Sequence, residues 1–175
     1  MEIPEIELIE LENIEIGDEK MKRLLEYMSE DRIIIDLKSR EKEEVFEEMA
    51  PLFVAGNVID ADELDEFIEG LKEREKLTAT GMQDGIAVPH AKSPSVHKIA
   101  LALGISKEGV NFESMDGQPS KYIFMIAAPK GTKEEHLDLL AMISELSYSE
   151  EVLEKLSQAQ TKSEVLEILE NFEEE

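Results

Sequence analysis

The sequence predicts an α/β fold: a single-domain sandwich in which a mixed β-sheet is flanked by helices on both faces. Three observations carry this. Segments with a helical apolar period and short strand-like apolar runs alternate along the chain. Ile99–Ile105 and Tyr122–Ala128 are apolar at nearly every position, as strands covered on both faces must be. The length, 175 residues, suffices for one sizeable core and is short for two.

The elements follow in order. Residues 1–20 alternate Glu with Ile or Leu, but the alternation changes phase between Leu8 and Ile9 and Pro4 interrupts it, so an acidic arm or edge strand is expected there. The domain proper is assigned to residues 21–175. Met21, Leu24, Leu25 and Met28 share one helical face, and Ile33–Ile35 form a short buried-strand signal. Ser39 is the expected cap of a helix whose face is Val45, Phe46, Met49, Leu52 and Phe53 and which Gly56 ends. Asp60 with Glu63 has capping-box spacing before Leu64, Phe67, Ile68 and Leu71, predicting a helix that ends near Arg74.

Leu77–Ala91 reads as a loop leading into a strand, with Ile86, Ala87 and Val88 as its apolar run, and Gly109–Pro119 carries turn chemistry. Thr132 with Glu135 makes a second capping box opening a helix along Leu137, Leu140, Ala141, Ile143 and Leu146. Two more helices are expected over Glu150–Leu156 and Lys162–Phe172, the latter with Thr161 and Glu164 as its box.

Composition restricts function. Eighteen Lys and Arg against 42 Asp and Glu leave a net charge of −24, a field that repels nucleic acid and anionic lipid. A partner-binding face should therefore differ locally from the acidic average, and an apolar patch beside His90, with Met82 and Ile86 as candidates, is expected. With no Cys, thiol nucleophiles, disulfides and cysteine metal sites are excluded. No basic leader or membrane-length apolar run is present, so a cytoplasmic protein without direct membrane insertion is expected.

The chain has three histidines. They and Arg74 are the side chains suited to phosphoryl or acid–base work near neutral pH. His97 follows S-P-S-V (Ser93 to Val96) on what looks like the exposed approach to a strand, and reads as a surface residue. His136 falls in the first turn of a capped helix, where the dipole favours a neutral ring able to hydrogen-bond an anion; a structural, partly exposed histidine fits that position equally well. His90 follows Pro89 at a strand end, where α/β proteins gather ligands, although position alone fits a structural histidine better. Zinc held by His90 and His136 would need Asp84 or Glu135 as a third ligand, without any zinc-site spacing, and Pro129–Lys133 lacks the first glycine of a phosphate-binding loop.

The run R-E-K-L-T-A-T-G-M-Q-D-G-I-A-V-P-H-A, Arg74 to Ala91, resembles the active-site signature of the fructose and mannitol type (type 2) enzyme IIA family of the phosphotransferase system. The likeness continues through Gly109–Phe112, Asp116–Pro119, Phe124–Pro129 and Glu135–Ala141, and covers roughly residues 30 to 172. It implies a phosphotransferase component that needs no cofactor or metal. His90 would take phosphate from the carrier HPr and pass it to enzyme IIB, in trans, for sugar uptake. His136 and Arg74 map on the family's second histidine and its arginine, as donors to the phosphoryl oxygens. Thr80 and the amides near Gly81 and Gly85 are further candidates to bind the phosphoryl group.

Two positions depart from the pattern: Gln83 and Ala91 stand where the family usually has a small residue and glycine. Gln83 would either crowd the loop or offer an amide to the phosphoryl group. The same signature serves nitrogen-regulatory members, which signal through partner binding, while D-G-Q-P-S-K-Y-I-F-M-I-A-A-P resembles the sugar-transport members slightly more. A non-phosphorylated acidic scaffold would require the intact His90, His136 and Arg74 to be relics.

Overall fold

The computed structural model describes residues 23–174, so the expected arm over residues 1–20 lies outside the described residues. Two 3₁₀ turns, Leu24–Tyr27 and Glu30–Arg32, lead into β1 (Ile33–Ile34). Helix α1 (Lys42–Met49) runs on as 3₁₀ turns over Ala50–Asn57, and a 3₁₀ turn at Ala61–Glu63 precedes α2 (Leu64–Leu77). Then come β2 (Ile86–Ala87), β3 (His90–Lys92), β4 (Ala100–Val110), β5 (Ser120–Ala128), α3 (Lys133–Leu146), α4 (Glu150–Gln158) and α5 (Lys162–Glu174).

The sheet is mixed, in the order β1-β4-β5-β2, with β3 also on β5. β4 and β5 are antiparallel; β1 runs parallel to β4, and β2 and β3 parallel to β5. Ile86 lies opposite Tyr122 and His90 opposite Ile126, the same offset, so β2 and β3 are one edge strand interrupted at Val88-Pro89. Pro89 has no N–H for the ladder, which an edge tolerates, and its carbonyl still accepts the Ile126 amide at 3.0 Å. That interruption sets the entry of His90 into the sheet.

Alternation along β4 and β5 sorts the core into two layers. Leu101, Leu103, Ile105, Phe124 and Ile126 meet Leu139, Ile143, Leu156, Val165 and Leu169 of α3–α5. Ala100, Ala102, Ile123, Met125 and Ala127 meet Phe46, Met49, Phe53 and Phe67. The second layer sets mostly small strand residues against large aromatic ones, which keeps the two helices at packing distance. Removing one of these phenylalanines would cost about 3–5 kcal/mol.

Several local expectations fail for nameable reasons. Of the helix expected over Met21–Met28, the described residues form only the 3₁₀ turn Leu24–Tyr27, with Leu24 and Met28 buried. Ser39 does not cap α1, which starts at Lys42; its hydroxyl donates to Glu48 at 2.6 Å. Asp60 makes no cap bond and instead pairs with His97 at 3.3 Å. Thr132 donates to the Pro129 carbonyl at 2.8 Å rather than capping α3. The Thr161 box does form in part, with the Glu164 amide donating to Thr161 Oγ1 at 3.1 Å. α2 runs nearly one turn past Arg74, and β4 runs on past Ile105 through a register shift.

Candidate active site

The site begins with a charge on an apolar stripe. Along α2, Phe67 and Leu71 are buried, and the next residue at the same spacing is Glu75, only 8% exposed. A carboxylate so placed must be compensated. Glu75 accepts the Thr80 amide at 2.8 Å and the Thr80 hydroxyl at 2.6 Å, and Lys42 Nζ lies 3.2 Å away. Its neighbour Arg74 is half-buried and donates to the Thr78 carbonyl at 2.9 Å. The end of α2 thus ties down the loop that follows.

That loop is a tight hairpin. Gly81 pairs with Ala87, and the Met82 amide donates to the Ile86 carbonyl at 2.7 Å, with Asp84 (φ 59°) and Gly85 (φ 80°) at the tip. Two successive positive φ values are what a type I′ hairpin turn requires, and Asp-Gly supplies them. The Asp84 amide donates to Asp116, and the Gly85 carbonyl accepts from Lys121 and Tyr122, pinning the tip to β5. On the returning side the Val88 amide donates to the Thr80 carbonyl at 3.0 Å.

His90 opens β3 as a half-buried residue. Its Nδ1 lies 2.8 Å from the Val88 carbonyl, and since a carbonyl only accepts, Nδ1 carries the proton. The lone pair of the neutral ring is therefore on Nε2. The His136 ring stands edge-on, with centroids 4.8 Å apart at 70°. His136 is 6% exposed, and its Nδ1 is buried with no hydrogen-bond partner among the described residues. Burial first, then the charges of His90, Lys92 and Arg74, pushes its pKa down to about 4. Burial also lowers that of His90; the bond to Val88 and the charge of Glu75 oppose the fall, while Arg74 and Lys92 deepen it. Both rings are held neutral at pH 7, within the field of two fixed cations.

The structure brings together His90, His136 and Arg74. Of the other candidates, it engages Thr80 elsewhere. The Thr80 hydroxyl is spent on Glu75, and Thr80 is 8% exposed. Gly81 is small because a Cβ would lie 2.8 Å from the Phe112 carbonyl, and Gly85 serves the turn. The Gln83 side chain is exposed, so it does not crowd the loop. Ile86 is fully buried and Met82 half-buried, so Ile86 forms no part of an exposed patch. His97 is exposed, as expected. Two residues were missed from the sequence. Lys92 was signalled by its two-residue spacing from His90, and Glu75 by the Phe67-Leu71-Glu75 stripe.

The arrangement offers a neutral nucleophilic nitrogen and nearby groups that favour negative charge. The family model described as Phosphoenolpyruvate-dependent sugar phosphotransferase system, EIIA 2, matches residues 26–172. The PTS system fructose-specific EIIABC component of Bacillus subtilis is 37% identical over 84% of this chain, which spans only 23% of that protein's length. The PTS system fructose-specific EIIA component of Haloferax volcanii is 37% identical over 77% of this chain and 90% of its own. Among solved structures, nitrogen regulatory protein IIA-Ntr from Neisseria meningitidis superposes with a TM-score of 0.73 at 28% identity, covering 82% of this chain and 97% of that one. Enzyme IIA for mannitol from Escherichia coli, in complex with phosphorylated enzyme IIB, gives 0.69 at 26% identity, covering 82% and 97%. Among the described residues no helix is long and apolar enough to cross a membrane.

Proposed function

The chain belongs to the EIIA 2 family of the phosphoenolpyruvate-dependent sugar phosphotransferase system, and from that membership we propose that it is a cytoplasmic phosphocarrier, taking phosphate from HPr on His90 and passing it to enzyme IIB for uptake of a fructose- or mannitol-type sugar. The observation that carries this is the His90 ring, anchored through Nδ1 on Val88 beside His136 and under the charge of Arg74.

In the transfer, the Nε2 lone pair of His90 attacks phosphorus in line with the donor's nitrogen–phosphorus bond. The new bond forms as the old one breaks, and the donor imidazole leaves with that electron pair. The His90 ring becomes positive in this step, and the Nδ1–H bond to the Val88 carbonyl stabilises that charge. Arg74 and Lys92, whose charges act on both rings, and the neighbouring His136 would stabilise the phosphoryl oxygens, where charge is spread in the transition state. Because donor and acceptor phosphoryl groups are similar in energy, stabilising the transition state more than the intermediate keeps the second transfer open. The test is labelled phosphoenolpyruvate with enzyme I and HPr. An acid-labile, alkali-stable adduct should appear only with both present and disappear in His90→Ala; labelling that persists in that variant overturns the reading.

The likeness to the Neisseria nitrogen regulatory protein supports a second reading, a signalling phosphoprotein using the same site. Capture of binding proteins by the phosphorylated and unphosphorylated chain separates the two: enzyme IIB for sugar transport, a kinase or regulator for signalling.

A further inference from the structure

We propose that Glu75 is a positioning residue that sets the tautomer of His90, acting through Thr80 and the backbone of Val88, with Lys42 as its counter-ion. The proposal rests on the reading of His90 as the phosphate acceptor. Four links make the path: Lys42 Nζ at 3.2 Å from Glu75, Glu75 on the Thr80 amide and hydroxyl at 2.8 and 2.6 Å, the Thr80 carbonyl on the Val88 amide at 3.0 Å, and the Val88 carbonyl on His90 Nδ1 at 2.8 Å.

A buried ion pair is a costly way to hold a loop, since apolar residues of similar volume often do so at least as well. What the carboxylate adds is direction: it takes both donors of Thr80, the amide and the hydroxyl, and so fixes the orientation of one peptide. That residue meets the returning strand at Val88, whose carbonyl accepts the His90 ring proton. The two tautomers of a neutral imidazole are close in energy, so one hydrogen bond of ordinary strength shifts their ratio by about tenfold. Moving the Val88 carbonyl away lets the proton settle on Nε2, which removes the lone pair from the attacking nitrogen.

The experiment uses the full chain with ¹⁵N-labelled histidine, comparing the wild type with Glu75→Gln, Glu75→Ala and Lys42→Met. Leu169→Ala, in the core under α5, serves as a control of lowered stability. Nitrogen shifts of His90 report the tautomer without any phosphate donor, and transfer is then measured from phosphorylated HPr. In the Glu75 variants the Nδ1–H form should lose several-fold in population, and kcat should fall by about the same factor with KM nearly unchanged. Lys42→Met should move both readouts the same way and by less, which keeps the test open if a Glu75 variant fails to fold. Leu169→Ala should melt earlier and change neither. The proposal is overturned if the Glu75 variants keep the wild-type tautomer, or if Leu169→Ala loses transfer to the same extent. If the wild type accepts no phosphate from HPr, the functional reading fails, while the nitrogen shifts still decide the role of Glu75.

Discussion

The rings of His90 and His136 lie 4.8 Å apart, yet they differ in their hydrogen bonding, and the different roles proposed for them rest on that difference. His90 has its Nδ1 on a backbone carbonyl; His136 Nδ1 has no partner among the described residues. A buried polar atom left unpaired is a cost, which the role proposed for His136 as a donor to the phosphoryl oxygens would offset. Removing His136 or Arg74 should therefore lower phosphotransfer by about 10²-fold, the loss expected for one donor to the reacting oxygens, without moving the label from His90. Steady transfer from HPr by His136→Ala and Arg74→Ala measures this, and full activity of either would break the division of labour. The pH dependence follows from the same burial. The acceptor must be unprotonated, and burial lowers the pKa of His90 from its usual 6.5, so the midpoint of the acid-side fall in phosphorylation rate should lie below pH 6.5. Phosphorylating His90 should also raise the pKa of His136 from about 4, because the phosphoryl oxygens bring net negative charge beside a ring that was neutral. A proton titration of His136 before and after loading reads that shift directly.

At the scale of elements, the hairpin from Gly81 to Ala87 makes two glycine substitutions differ in kind. Gly85 has a φ of 80°, and the nearest atom an added Cβ would meet is on the Tyr122 ring at 3.6 Å, so Gly85→Ala should cost the conformational penalty alone, about 1–2 kcal/mol. Gly81 is blocked by the Phe112 carbonyl at 2.8 Å and by the Ser114 hydroxyl; Gly81→Ala should lower the melting temperature more and shift the Thr80 amide. Calorimetry on the pair checks the order. These elements also show what a sequence reveals. β4, β5 and the two-sided sandwich were legible because apolar periodicity reports burial directly, as it did for Phe67 and Leu71 of α2. The caps at Ser39, Asp60 and Thr132 were not, since each of these side chains has a rival partner far along the chain or just behind it: Glu48, His97 and Pro129. The histidine that opens β3 was legible from its signature, whereas Glu75, although it continues the Phe67-Leu71 spacing, was passed over because a charge on an apolar stripe reads as the end of the buried face. Thr80 and Gly81 stood out in the sequence, but only the packed structure shows that one is tied to Glu75 and the other is small for Phe112.

For the molecule as a whole, a net charge of −24 and a histidine pair kept neutral pull stability in opposite directions as pH falls. Protonating carboxylates relieves the repulsion among excess negative charges, which favours the folded state. Burial of His136 does the reverse. Its pKa is about 4 when folded and 6.5 when unfolded, so between those values the unfolded chain binds the extra proton. The linked stability is fully present above pH 6.5 and is lost as pH falls toward 4, a loss of up to about 3 kcal/mol for this 6%-exposed ring. His90 adds to it with the same sign, because its pKa is lowered too. Salt separates the two effects: at pH 7, raising ionic strength should raise the melting temperature by screening repulsion, with both histidines already neutral. The histidine share is then isolated by comparing the wild type with His136→Gln in urea at constant high salt, from pH 7 to 4.5. The wild type should lose stability more steeply across that range, and the variant's curve should be flatter. Parallel curves would mean that the ring is not held neutral by burial, and would remove the basis for its role as an uncharged donor beside His90.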